Sequence, residues 1–331
     1  MDMERSLYPL KFKPILKDYI WGGTRLITDL GKESKKKPCA ESWEISGVAG
    51  NISVVCDGFL KGNHLQELIE VYMGDLVGDS VYDRFGLEFP ILVKFIDAHD
   101  DLSIQVHPDD RLAAERHDSY GKTEMWYVMD TDGDSSLISG FSQKMDKEKY
   151  VQALNSKKLK DILNIGKVAP GDVFFIPAGR IHAIGKGILL AEIQQTSNIT
   201  YRIYDWDRVG ADGKPRELHT ELALDAIDYN VYSEYKTHYQ KPSQGTVELA
   251  QCPYFTTNLV CFSQPLEKDY QNLDSFVIYI CTSGACSIRW GTAESIMNIR
   301  KGETVLLPAV VNDIWLTPSE PTELLEVFIG G

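Results

Sequence analysis

The strict two-residue alternation of Leu102-Ser103-Ile104-Gln105-Val106-His107 constrains this chain more than any other stretch. Successive side chains of an extended strand point to opposite faces, so Ser103, Gln105 and His107 share one side while Leu102, Ile104 and Val106 take the other. The apolar side packs on a core. The side that carries a carboxamide and an imidazole is built to converge on something. A second segment, Lys122-Thr123-Glu124-Met125-Trp126-Tyr127-Val128, alternates in the same way and puts Lys122, Glu124 and Trp126 together. A third runs from Gly171 through Pro177 and Gly179 to His182, a strand of Val173-Phe174-Phe175-Ile176 followed by a Pro/Gly turn that delivers a histidine. Gln105, His107, Glu124 and His182 thus offer two imidazoles, a carboxylate and a carboxamide. That is a donor set for one divalent ion of the zinc, iron, manganese, cobalt or nickel group. A polar network inside a sandwich core is the plainer alternative. Two histidines and a glutamate on separate strand-like segments, each bounded by turn signals, favour the metal.

The remaining chain reads as mainly β with helical insertions. Residues 40–46 and 89–97 are strand-like, the first with Glu41 and Trp43 on one face and Ser42 and Glu44 on the other. Residues 188–195 and 200–208 follow as further strands. Apolar residues at helical spacing predict helices over 64–77, 111–117, 146–163 and 215–229. Trp21 beside Gly22 and Gly23 is an aromatic held at a tight turn, either capping the core or touching a substrate. Residues 235–245 are polar and predict a linker. Beyond them nearly everything is short strands. Gly302, Pro308 and Asp313 align without a gap on Gly171, Pro177 and His182, which predicts a second barrel of the same kind stripped of its histidine. The expected division is therefore a catalytic, metal-binding domain over 1–240 and a metal-free β domain over 246–331.

Composition narrows the partners. A formal net charge of −14 argues against nucleic acid and against an anionic membrane surface. It leaves room for an anionic small substrate, because a local cluster of Lys and Arg overrides the global field. No apolar run of about 18 residues occurs, and no charged-then-apolar start with a small-residue cleavage site, so neither a membrane span nor a secretion signal is expected. The six cysteines lack metal-site spacing and lie mostly in apolar stretches. They read as reduced, buried residues of a cytoplasmic protein. Oligomeric state is not legible.

The spacing Gly-x5-Pro-x-Gly-x2-His resembles the second motif of the cupin barrels. Residues 102–109, 121–127, 177–185 and 201–206, four separated motifs in order, resemble the type I mannose-6-phosphate isomerases in their short bacterial form. The resemblance covers residues 8 to about 240. It implies a cupin (jelly-roll) fold and one zinc ion on Gln105, His107, Glu124 and His182. It also implies interconversion of mannose 6-phosphate and fructose 6-phosphate through a cis-enediol. The family's essential arginine falls on Arg202, a glutamate proposed as base on Glu192, and substrate-side residues on Ser103 and Lys122. Where long-form relatives carry a lysine this chain has Arg208, which would hold a phosphate in a bidentate fork. Glu192 has two possible environments. In an apolar strand desolvation raises its pKa toward that of a useful base, whereas pairing with Arg202 lowers it. The same donor set would also suit an iron(II) dioxygenase, or a sugar-phosphate binding module without turnover.

Overall fold

The structure is a computed structural model and describes residues 6–330 except 36, 211, 212 and 292–294. It is mainly β, arranged as two pairs of facing antiparallel sheets. In the first pair the six-stranded sheet runs in the order Ile15–Lys17, Glu41–Ile45, Ile91–Ala98, Ile188–Gln195, Glu124–Thr131, Val173–Ile176. The five-stranded sheet opposite it runs Tyr201–Tyr204, Ile104–Val106, His182–Ile184, Ser136–Phe141, Leu163–Lys167. Alternation along the central strands sorts the side chains. Leu189, Ala191 and Ile193 point out to one apolar cluster, while Ile188 and Leu190 point in to another. Further along the same inner row stand Glu192 and Gln194. The interior between the first two sheets is therefore apolar at one end, around Trp126, Phe174, Ile184 and Leu190, and polar at the other.

The second pair repeats the strand order of the first. Its five-stranded sheet runs Gly245–Gln251, Thr256–Phe262, Thr322–Phe328, Val277–Ser283, Thr304–Leu307, and its four-stranded sheet Leu266–Asp269, Asp313–Pro318, Ala285–Trp290, Ile296–Arg300. The strands Thr304–Leu307 and Asp313–Pro318 begin where the ungapped alignment puts them against Val173–Ile176 and His182–Ile184. Strand register identifies the counterparts. Glu192 lies opposite Trp126 and Lys94, and Glu326 lies opposite Tyr279 and Asn258. Val277 takes the place of Glu124, since these two face Leu307 and Ile176 respectively. Asp313 aligns with His182 in sequence, but Ile314 and Leu316 are the residues that enter the second interior, so Asp313 lies on the other side of its strand. In place of a metal group the second interior holds a sealed network: Glu326 Oε1 accepts from Tyr270 and Tyr279, Oε2 accepts from Asn258, and Lys268 Nζ lies 2.6 Å away.

The outer faces of the two large sheets share one core. Val93, Phe95, Met125 and Ile193 belong to the same apolar cluster as Leu259, Ile278, Leu325 and Val327. The helices Leu65–Val77 and Asp79–Phe85 pack on it as well. The expected linker is laced to both halves, Tyr239 donating to the Gly171 carbonyl and Lys241 pairing with Glu323 at 2.5 Å.

Three of the expected helices form, at Leu65–Val77, Asp110–His117 and Lys147–Asn155, the third followed by a short 3-10 turn at Leu159–Ile162. The fourth is a correction. Of residues 215–229 only Thr220–Ala226 is helical, because the backbone before and after it is engaged elsewhere. His219 donates its N–H to the Arg202 carbonyl, and Asp228 donates to the Gly179 carbonyl. Among the described residues no helix is long and apolar enough to cross a membrane.

Candidate active site

Three strands bring the expected donors together at the polar end of the first interior: Gln105 lies on Ile104–Val106 with His107 just beyond it, Glu124 begins Glu124–Thr131 and His182 begins His182–Ile184. Gln105 and His182 are direct partners across neighbouring strands, and Glu124 reaches them from the facing sheet. His182 Nε2 stands 3.4 Å from one Glu124 oxygen and His107 Nε2 stands 3.5 Å from the other. The Gln105 carboxamide lies 3.3 Å from His182 Nε2. His107, Glu124 and His182 offer ligand atoms that all lie within 4.8 Å of one another, and all three are buried.

This chemistry suits a divalent cation on several counts. His107 Nδ1 is 3.0 Å from the Ile199 carbonyl and His182 Nδ1 is 2.9 Å from the Arg180 carbonyl, so each ring donates from Nδ1 and presents a lone pair at Nε2. Burial, and then the Lys122 charge, hold His107 well below its ordinary range. Burial likewise lowers His182 to about 4, so both rings are neutral, as ligands must be. Both Glu124 oxygens are buried without a hydrogen-bond partner. Burial, followed by the nearby Glu192 charge, pushes this carboxyl up to about 8. A positive ion held by His107, Glu124 and His182 would supply the missing counter-charge.

In front of this group opens a cleft of about 270 Å³. Gln105 and Lys122 line its inner side, Ser103, Glu192, Lys94 and Trp21 its walls, and Arg202, Arg216, Asn198 and Tyr19 its more exposed side. Trp21 packs in the inner apolar cluster and also lines the cleft. Lys122 Nζ sits 3.2 Å from His107 Nε2 and 3.6 Å from Glu124.

Glu192 is paired, but with Lys94 and not with Arg202. Lys94 Nζ donates to Oε1 at 2.8 Å and the Trp126 indole donates to Oε2 at 2.9 Å. Desolvation pushes Glu192 up, yet the Lys94 and Lys122 charges with the two hydrogen bonds outweigh it, and the carboxyl lies below its ordinary value. Lys94 also stands 4.0 Å from Glu41, which accepts the Trp43 indole N–H at 2.6 Å.

Arg202 donates from Nη1 to the Glu217 carbonyl at 2.8 Å, while its buried Nε has no partner. Arg208 is not among the residues lining the cleft. It donates to Asp205 at 2.7 Å, and the same carboxylate takes a bidentate pair of 2.6 Å bonds from Arg216, which lines the cleft as Arg202 does. Lys94 left a sequence signal, a lone charge inside the apolar run Phe89 to Ile96. Arg216, set in a loop by a through-space pair, left none.

Fold and site together define a cupin-like protein with a buried His/Glu/His metal-binding group at the back of a polar, arginine-rimmed cleft. Residues 9–148 match the model of the family described as phosphomannose isomerase type I, catalytic domain. The chain is 37% identical over 306 residues to the mannose-6-phosphate isomerase ManA of Bacillus subtilis, covering 91% of this chain and 93% of that one. It is 34% identical over 305 residues to the mannose-6-phosphate isomerase of Streptococcus mutans, covering 92% and 93%. The crystal structure of the mannose 6-phosphate isomerase from Bacillus subtilis superposes with a TM-score of 0.85 at 32% identity, over 97% of this chain and 99% of that one. This chain belongs to the type I phosphomannose isomerase family of enzymes.

Proposed function

We propose that this chain interconverts mannose 6-phosphate and fructose 6-phosphate through a cis-enediol. The zinc ion it uses would be held by Gln105, His107, Glu124 and His182, with residues 1–240 as the catalytic unit and 246–331 as a metal-free one. The observation that carries this reading is a cleft lined on its inner side by Gln105 and by Lys122, which lies beside His107 and Glu124, and on its more exposed side by two arginines. When bound, such an ion polarises substrate oxygens as a Lewis acid. The reaction moves a proton between adjacent carbons and needs a base in reach and positive charge near the oxygens. Glu41 and Glu192 are the carboxylates lining the cleft, and Glu192 is the one we assign as base. Lys94 and Trp126 hold it ionised and fixed, which makes it available at neutral pH at some cost in basicity. Lys122, beside Glu124, stands where a proton can be held at Nζ close to the reacting oxygens.

At the outer end the phosphate of the substrate meets cations. Arg202 and Arg216 line the cleft there with Asn198 and Thr200. Arg208 supports Arg216 through their shared partner Asp205. Phosphate bound at one end orients the sugar at the other, so binding energy remote from the chemistry serves the reaction. An oxygen-activating iron centre has no use for these cations, and the isomerase reading accounts for them.

Metal analysis of protein purified without chelator, with an assay coupling fructose 6-phosphate formation to a dehydrogenase, tests the proposal. His182→Ala is expected to lose most of its bound metal and most turnover. Metal-replete protein that leaves mannose 6-phosphate unchanged sinks it.

A further inference from the structure

Arg180 stands two residues before His182, one of the expected metal donors. Its side chain goes elsewhere. The guanidinium donates to the Phe175 carbonyl at 2.9 Å and lies over the rings of Tyr232 and Tyr235, 4.8 and 5.2 Å from their centroids. It does not line the cleft. The turn it belongs to, residues 177–181, touches both histidines of the metal group: Gly179 donates its N–H to the His107 carbonyl at 2.9 Å, and the Arg180 carbonyl lies 2.9 Å from His182 Nδ1. The segment that covers this turn is tied down in its own right. Asp228 donates to the Gly179 carbonyl at 2.8 Å, and Tyr235 donates from its hydroxyl to the Phe141 carbonyl at 2.8 Å.

From these contacts we infer that Arg180 is a positioning residue of the metal centre, a clasp that holds the 177–181 turn against residues 228–235 and so fixes the carbonyl that orients the His182 ring. Groups that fix the tautomer and direction of a ligating histidine typically contribute about 10- to 100-fold in metal affinity. A cation between two aromatic rings with one backbone bond is well suited to the task, since planar guanidinium stacks and donates at once. The inference rests on the metal-site reading above.

Arg180→Met keeps the length and removes both the charge and the donors, and Arg180→Lys restores a charge and N–H donors without the planar guanidinium. Zn²⁺ affinity is measured by competition with a chromophoric chelator on the full chain, with circular dichroism confirming equal folded fractions. The expected result is a 10- to 100-fold weaker dissociation constant in Arg180→Met, partial recovery in Arg180→Lys, and a KM for mannose 6-phosphate within about twofold of the parent because the cleft is untouched. An affinity unchanged in both variants, even with a lowered melting temperature, overturns the inference and leaves Arg180 a structural residue. A parent protein that takes up no divalent ion overturns the metal reading itself, and this inference with it.

Discussion

At the residue scale the cleft separates two arginines by what else each one holds. Arg202 keeps a buried, unpartnered Nε, whereas Arg216 is already forked onto Asp205. Charge that counts mainly as the transition state develops appears in kcat, and charge that binds ground and transition states alike appears in KM. Arg202→Ala is expected to lower kcat by about 10²-fold with metal retained, and Arg216→Ala to act chiefly on KM. Steady-state kinetics on metal-loaded protein decides this, and a pure KM defect at Arg202 reassigns it to the phosphate. Asp205 sets a pH dependence. Burial pushes its carboxyl up, but the hydrogen bonds and charges of Arg216 and Arg208 hold it below the ordinary range. A folded pKa below the unfolded value stabilises the fold above about pH 4 and loses that contribution as pH falls through the folded value. Asp205→Asn is therefore expected to lower the melting temperature near neutrality and to flatten its fall below about pH 4, with an unchanged acid slope as the contrary result. The His107/Glu124/His182 group was legible in the sequence because a period of two fixes sidedness residue by residue. The partner of Glu192 was not, because Lys94 meets it through cross-strand register, which no local pattern encodes.

Among the elements, strands were read more faithfully than helices. Residues 40–46 alternate as expected, with Trp43 donating to Glu41 on one face and Ser42 donating to Glu44 on the other. The overread helix shows why propensity fails when the backbone has better partners. The apolar spacing of Leu218, Leu222 and Leu224 looks helical, yet Leu218 and Leu222 are 46% and 37% exposed, and the segment serves to hold Arg202 and the 177–181 turn. Gly140 in the strand Ser136–Phe141 offers a test at this scale. It has φ +71, and a Cβ there would overlap the Tyr235 ring, so the glycine is needed for both reasons. Gly140→Ala is expected to destabilise the protein by about 1–3 kcal/mol and to displace Tyr235 from its seat. Urea unfolding followed at tyrosine wavelengths checks it, and a neutral substitution refutes the packing described for that segment.

The whole molecule is organised by repetition and by the core between its halves. The second pair of sheets keeps a buried carboxylate at the place of Glu192, but Val277 replaces Glu124 and tyrosines close around Glu326, so the same frame carries a sealed network. One metal ion per chain is accordingly expected. The repeat was legible through Gly302, Pro308 and Asp313. The shared core was not, since it joins outer faces that are far apart in sequence. Because Val93 and Ile193 pack in one cluster with Leu325 and Val327, calorimetry of the metal-free chain is expected to show a single transition whose calorimetric and van't Hoff enthalpies agree. Two resolved transitions would speak against the common core. The same feature orders events on the ribosome. All four proposed metal donors have left the exit tunnel well before residues 256–328 are made, yet until those residues arrive the back of the six-stranded sheet has the helices Leu65–Val77 and Asp79–Phe85 but no second sheet to lie against. For that interval the nascent chain carries a broad apolar surface in the open, the kind of surface that chaperones engage.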